Sequence, residues 1–309
     1  MRDMEGGFSA GNFLGLPLRE GDADIVILSL PYELTTSYGQ GTANGPAACI
    51  EASGQVELYD SLLGDDLPAG HSIVTAQPWD GEGGTLEEQL EGIEQYLKEW
   101  FIADAFPVVL GGEHGSLPAE MRALSNHPTL GGDLGRLTLV QIDAHADLRD
   151  ELDGDKFSHA CAARRALDEG VGRLLQIGVR AFSREEERFI TNDERVNTWF
   201  ARDFITPCGG EEVWHALLAE ISVIEGPVWL TLDIDGLDGS LVPDTGTPVP
   251  GGLAYWQAVE VIEALFSASG AEVIGADVVE IVPGSDNNLT QFTAAMLATK
   301  IIAAHIASL

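Results

Sequence analysis

Lysine is almost missing from this 309-residue chain, which has only Lys98, Lys156 and Lys300. Lysine and arginine together number 16 against 50 aspartates and glutamates, giving a net charge of −34. A surface so poor in positive charge repels phosphate backbones and anionic headgroups, which argues against nucleic acid and membrane as partners. Cysteine is scarce too. Cys49, Cys161 and Cys208 are widely spaced and odd in number. They argue against a disulfide framework and a thiolate zinc site, and they suit a reducing compartment, by default the cytoplasm. Long apolar runs of about 18 residues, as a membrane-spanning helix needs, are missing. The opening "MRDMEGGFSAGNFLG" lacks the basic-then-apolar order of a secretory leader. No internal repeat, low-complexity tract or Ser/Pro-rich linker divides the sequence, so a single domain over 1–309 is expected.

Strong acidity often accompanies disorder. Here 45% of the residues are hydrophobic and the acids are spread evenly, so the chain is expected to fold. Its self-repulsion is tolerable where salt screens it, which points to a halophile with a high-salt cytoplasm.

What is present is one alternating pattern. Short apolar or β-branched runs occur at 24–30, 106–112, 137–143, 173–179, 227–235 and 272–281. Helical spacing of apolar residues marks 86–104 and 252–268, and 289–309 reads as a C-terminal helix packed on the sheet. Strands apolar throughout, alternating with helices, predict a three-layer α/β/α fold around a parallel sheet of about eight strands. In such sheets ligands bind beyond the carboxyl ends of the strands.

Three of these ends carry metal-ligand residue types. "VVLGGEHGS" places Glu113 and His114 just past a strand, "LVQIDAHAD" supplies Asp143, His145 and Asp147, and "WLTLDIDGLD" supplies Asp233 and Asp235. Residues two apart in an extended chain face the same side, so each set can converge. Taken alone, a histidine after two glycines is an ordinary loop residue, and aspartates at a strand end are ordinary caps. Together they bring four carboxylates and two imidazoles to one end of the sheet. Without cations, such a crowd of like charges would be forced to take up protons. Two divalent ions bridged by shared carboxylates solve this, and a set rich in oxygen and free of thiolate favours Mn²⁺ over Zn²⁺. No phosphate-cradling glycine motif follows any strand.

The motifs "GGEHGS", "DAHADL", "SHACAARR", "DIDGLDGSLVPDTGTPVPGG" and "VVEIVPGSDNN", with "PYELTTSYGQGTANGPAACIEAS" upstream, resemble the ureohydrolases, the arginase and agmatinase family. Order and spacing match from about residue 25 to the end, and the agmatinase branch is the nearer likeness. The resemblance implies one manganese held by His114, Asp143, Asp147 and Asp233, and a second held by Asp143, His145, Asp233 and Asp235. It implies hydrolysis of a guanidino compound to urea and an amine, with Asp147 accepting a hydrogen bond from the attacking hydroxide. His159 would protonate the departing amine, and Glu280 would pair with the guanidinium. A trimeric or hexameric homo-oligomer is implied on the same ground. The chain departs from the family at Gly239 and Asp244, where proline and glycine are usual, and after His159, where glycine-threonine is usual.

The acidic segment 148–158 contains Asp150, Glu151, Asp153 and Asp155 and should border the substrate's tail. That favours a cationic tail, agmatine first, with aminopropylagmatine, 4-guanidinobutyrate and arginine as alternatives. A single-metal deacetylase on the same scaffold, or a catalytically silent relative, stays open at this point.

Overall fold

A computed structural model describes residues 11–17, 23–81, 84–206 and 209–309, so Cys208 lies outside the described residues. The strands are β1 Ile25–Leu30, β2 Tyr59–Asp60, β3 Asp65–Asp66, β4 Ile73–Thr75, β5 Phe106–Gly111, β6 Thr138–Ile142, β7 Arg173–Val179, β8 Val196–Phe200, β9 Glu225–Asp233 and β10 Gly270–Val279. The helices are α1 Gly45–Ser53, α2 Leu86–Phe101, α3 Leu117–Leu124, α4 Ala162–Asp168, α5 Arg184–Asn192, α6 Ala201–Ile205, α7 Gly210–Ser222, α8 Tyr255–Ser267 and α9 Leu289–Ser308.

Eight strands form one sheet in the order β4-β1-β5-β10-β9-β6-β7-β8, and every neighbouring pair runs parallel. The pleat sorts the apolar runs between two cores. Ile25, Ile27, Val108, Leu110, Val140 and Ile142 face one core with α1, α7, α8 and α9. Val26, Leu28, Leu30, Val109 and Leu139 face the other, which holds α2, α3 and α4. A strand covered on both faces has no polar side to show, which is why these segments read as unbroken apolar runs.

All six strand segments expected from the sequence are found, with ends shifted by a few residues. The two edge strands, β4 and β8, escaped notice. β4 has three residues and β8 alternates only weakly, so neither carries a periodic signal. Helix starts obey local chemistry: Thr85 with Glu88 and Ser183 with Glu186 form reciprocal capping boxes on α2 and α5. By length and composition α9 could cross a membrane, yet 78% of its most apolar window is buried in the sheet's core.

Glycines at the end of β5 are required by close approach. A Cβ on Gly112 would lie 2.0 Å from the Tyr32 carbonyl oxygen, and one on Gly111 would lie 2.7 Å from Val279 Cγ1. The first clash is with backbone, which cannot swing aside. Gly112→Ala is therefore expected to cost on the order of 2–3 kcal/mol and to lower the thermal midpoint by about 3–5 °C. A melt indistinguishable from that of the unaltered chain would contradict this.

Candidate metal centre

The four central neighbours β5, β10, β9 and β6 end side by side, and their carboxyl ends build the site. His114 opens the turn after β5, Asp143 follows β6 directly, Asp233 is the last residue of β9, and Glu280 follows β10. The side chains converge, though not by the plain extended alternation read from the sequence. β6 stops at Ile142, and Asp147 is brought round by a left-handed backbone with φ 53°. Asp235 lies in a short 3₁₀ turn that Asp233 caps through Asp235 N–H at 2.8 Å. Glu280 also has a positive φ, 62°. Non-glycine residues avoid this region unless the surroundings impose it, and such positions gather at functional sites.

His114 Nδ1 is 3.2 Å from Asp143 Oδ2, 3.1 Å from Asp147 Oδ2 and 3.7 Å from Asp233 Oδ2. It is buried without a hydrogen-bond partner. His145 Nδ1 lies 3.0 Å from Asp235 Oδ2 and 3.6 Å from Asp143 Oδ1. Two ligand groups result, His114–Asp143–Asp147 and Asp143–His145–Asp235, sharing Asp143. An orphaned imidazole nitrogen aimed at carboxylate oxygens is what a cation between them would satisfy.

The hydrogen bonds behind the cluster set the same polarity. Asp277 Oδ2 accepts from the Trp229 indole at 2.7 Å, and its Oδ1 accepts from the Thr231 hydroxyl at 2.7 Å. With its proton committed, Thr231 Oγ1 accepts from His114 Nε2 at 3.0 Å, leaving the Nδ1 lone pair to face the carboxylates. Gln141 Nε2 donates to Asp143 Oδ2 at 2.7 Å, and Gln176 holds Gln141 in turn at 2.8 Å. Arg180 donates to the carbonyls of Gly178, Asp235, Gly236, Leu237 and Val249, locking the loop that carries Asp235.

Electrostatics expose the tension in the acid cluster. Burial pushes Asp147 up to about 7, reinforced by Asp143. Burial opposes charge on His145, but Asp235 and Asp143 override it and push the imidazole up to about 11. Burial, then Asp235 and Asp143, hold Asp233 well above the carboxylate range. Divalent cations between these groups would relieve that tension.

Above the cluster opens a cavity of about 360 Å³. His114, His145, Asp147 and Asp233 reach its floor, while His159 and Glu280 stand on its wall with Ser37, Arg149, Leu152, Asp153, Phe182, Glu186 and Thr247. The eight residues given metal or catalytic roles in the sequence are thus brought together, with Asp143 and Asp235 behind the cavity lining, while Glu113, noted beside His114, does not line it. Of the acidic residues in the segment after the metal motif, only Asp153 lines the cavity. Asp150 turns away to pair with Arg165 at 3.0 Å, and Asp155 caps Phe157 N–H. Asp238, beside the departing Gly239, accepts from Ser240 and from the N–H groups of Gly251 and Gly252, so the rim loop is held in place without proline. Thr35, Thr231, Asp277 and Glu186 were not foreseen as parts of the site. Only Asp277 left a sequence signal, as a charge in the middle of an apolar strand.

A parallel α/β sheet with an aspartate–histidine cluster able to hold cations beyond its carboxyl edge fits a metal-dependent hydrolase. The arginase family matches residues 23–304, and the chain belongs to that family as a ureohydrolase. It is 33% identical over 290 residues to the N(1)-aminopropylagmatine ureohydrolase of Synechocystis sp., covering 91% of this chain and 89% of that protein. Identity to the agmatinase of Pyrococcus horikoshii is 32% over 283 residues, covering 91% and 92%. The agmatine ureohydrolase structure of Thermoplasma volcanium superposes with a TM-score of 0.75 at 28% identity, covering 92% of this chain and 90% of that one.

Proposed function

We propose that this chain hydrolyses agmatine to putrescine and urea with two manganese ions. One ion would be held by His114, Asp143, Asp147 and Asp233, the other by Asp143, His145, Asp233 and Asp235. The observation that carries this reading is the placement of Glu280 and His159 on the wall of the cavity whose floor is the ligand cluster. When bound, the ions supply water made acidic enough to act as a nucleophile near neutral pH.

The chain's own groups do the rest. Glu280 Oε1 is tied to His114 N–H at 2.8 Å, which fixes the carboxyl toward the guanidinium. Burial pushes Glu280 up to about 8, and a facing guanidinium would restore its charge. Asp147 accepts a hydrogen bond from the attacking water. His159 gives a proton to the departing amine nitrogen as the C–N bond breaks. Burial lowers the pKa of His159, so a proton taken up there is readily released.

A cationic tail is supported by Asp153 on the wall, since the charge of Arg149 is opposed by Glu186 at 3.7 Å. The named activities of the agmatinase and aminopropylagmatine relatives agree with it. Aminopropylagmatine, 4-guanidinobutyrate and arginine are the ordered alternatives. We read the working form as a cytoplasmic homo-oligomer, a trimer or hexamer, in a salt-rich cell.

Urea release from these four compounds after Mn²⁺ loading tests the reading, and kcat/KM is expected to be greatest for agmatine. Urea from none of them would defeat it, and a preference for 4-guanidinobutyrate would shift it to guanidino acids. Glu280→Gln is expected to lower kcat/KM by about 10²–10³-fold, as loss of one partner of a buried charge pair does. A change of less than about threefold would remove Glu280 from its role.

A further inference from the structure

Glu113 was picked out in the sequence beside His114, yet it belongs to neither ligand group. It is fully buried at the end of β5. Three donors converge on its carboxyl. Oε2 accepts from the N–H groups of Leu34 at 2.9 Å and Thr35 at 2.7 Å, and Oε1 accepts from the Thr35 hydroxyl at 2.8 Å. The single hydroxyl proton of Thr35 is thereby committed to Glu113. Thr35 Oγ1 can then only accept from the other side, where His159 presents its N–H at 2.9 Å and its ring Nδ1 at 3.3 Å. Accepting from Nδ1 requires a hydrogen there. Nε2 is left with the exchangeable position, 3.4 Å from Ser37 Oγ, and both residues line the cavity. The approach is tight: a Cβ on Gly115 would fall 2.9 Å from Glu113 Oε1 and 3.5 Å from His159 N.

We propose that Thr35, held by Glu113, is a positioning residue that fixes the Nδ1–H tautomer and ring plane of His159, so that Nε2 alone exchanges protons with the substrate. The inference rests on the role given to His159 above. In each turnover the imidazolium loses its Nε2 proton to the leaving amine nitrogen and returns to the neutral Nδ1–H form. It regains a proton at Nε2 from water before the next turnover. Thr35 never gives up its own proton. A hydroxyl at this position suffices, since the methyl group of Thr35 takes no part in the chain of hydrogen bonds.

The test compares Thr35→Val with Thr35→Ser in the full-length, manganese-loaded protein. Valine keeps the shape and removes the relay; serine keeps the relay. Thr35→Val is expected to lower kcat on agmatine about 10–100-fold, part of the gain that a positioned acid supplies. KM and manganese per chain should stay within about twofold, and the pH–rate profile should move on its His159 limb. Thr35→Ser should stay within about threefold of the unaltered chain in every respect. Independently of turnover, ¹⁵N-histidine NMR of protein loaded with diamagnetic Zn²⁺ in place of paramagnetic Mn²⁺ should find His159 as Nδ1–H in the unaltered chain and in Thr35→Ser, and as a mixture or Nε2–H in Thr35→Val.

An unaltered kcat and tautomer in Thr35→Val would overturn the proposal, as would serine failing as badly as valine. An Nε2–H tautomer in the unaltered chain would overturn it as well. If the unaltered protein released no urea from any guanidino compound, the functional reading would fall, and the tautomer measurement would still decide the relay.

Discussion

An Asp143→Asn chain is expected to release urea at least about 10³-fold more slowly than the unaltered chain and to retain less manganese. Asp143 is shared by both ligand groups, with one oxygen near each histidine. Asparagine has nearly the same volume, so the fold should survive. It lacks the negative charge, and its amide would turn a donor toward ligands that need an acceptor. Several kcal/mol of transition-state stabilisation depend on cations in such a site, and each 1.36 kcal/mol is tenfold in rate. The measurement pairs urea release with metal analysis of the dialysed protein, using circular dichroism to confirm folding. Chelation followed by Mn²⁺ should abolish and restore activity in the unaltered chain only. Full activity and full metal content in Asp143→Asn would sink the assignment of the whole cluster.

Thermal stability is expected to climb steeply with salt, by on the order of 10 °C between 0.1 and 2 M KCl, as screening shortens from about 10 Å to a few ångströms. The net charge of −34 is the driving cause. The structure shows where the repulsion sits. Glu185, Glu186 and Glu187 crowd the first turn of α5, Glu87 and Glu88 that of α2, and Glu211 and Glu212 that of α7. Acids there gain from the helix dipole, so each is locally favourable and collectively repulsive. Two of the rare basic groups are already engaged where they are most needed: buried Lys300 bridges Asp60 and Glu263, and Arg165 pairs with Asp150 and Asp168. Melting curves across a KCl series check this, and greatest stability at the lowest salt would rule out the salt-rich setting.

Much of this was legible in one dimension, for a physical reason. Strands buried on both faces are apolar along most of their length, so six of the eight announced themselves. The cation ligands stand out because Asp143, His145 and Asp147, or Asp233 and Asp235, have no structural business at the end of an apolar run. β4 and β8 were silent because edge strands are short and half-exposed.

The tertiary fold decided what spacing cannot encode. Strand order set β5, β10, β9 and β6 side by side, and only that adjacency carries His114 to Asp143 and Glu280 to the same cavity. Left-handed backbone at Asp147 and Glu280, not extended alternation, aims their side chains. The segment 148–158, read from the sequence as an acidic rim, gives the cavity Arg149, Leu152 and Asp153 and spends Asp150 on Arg165. Thr35 meets His159 across 124 positions of chain. The sequence by itself determined which chemistry the residues can do, because ligand identity is written residue by residue. Which groups face one another, and which proton each histidine keeps, was settled only when distant segments closed around them.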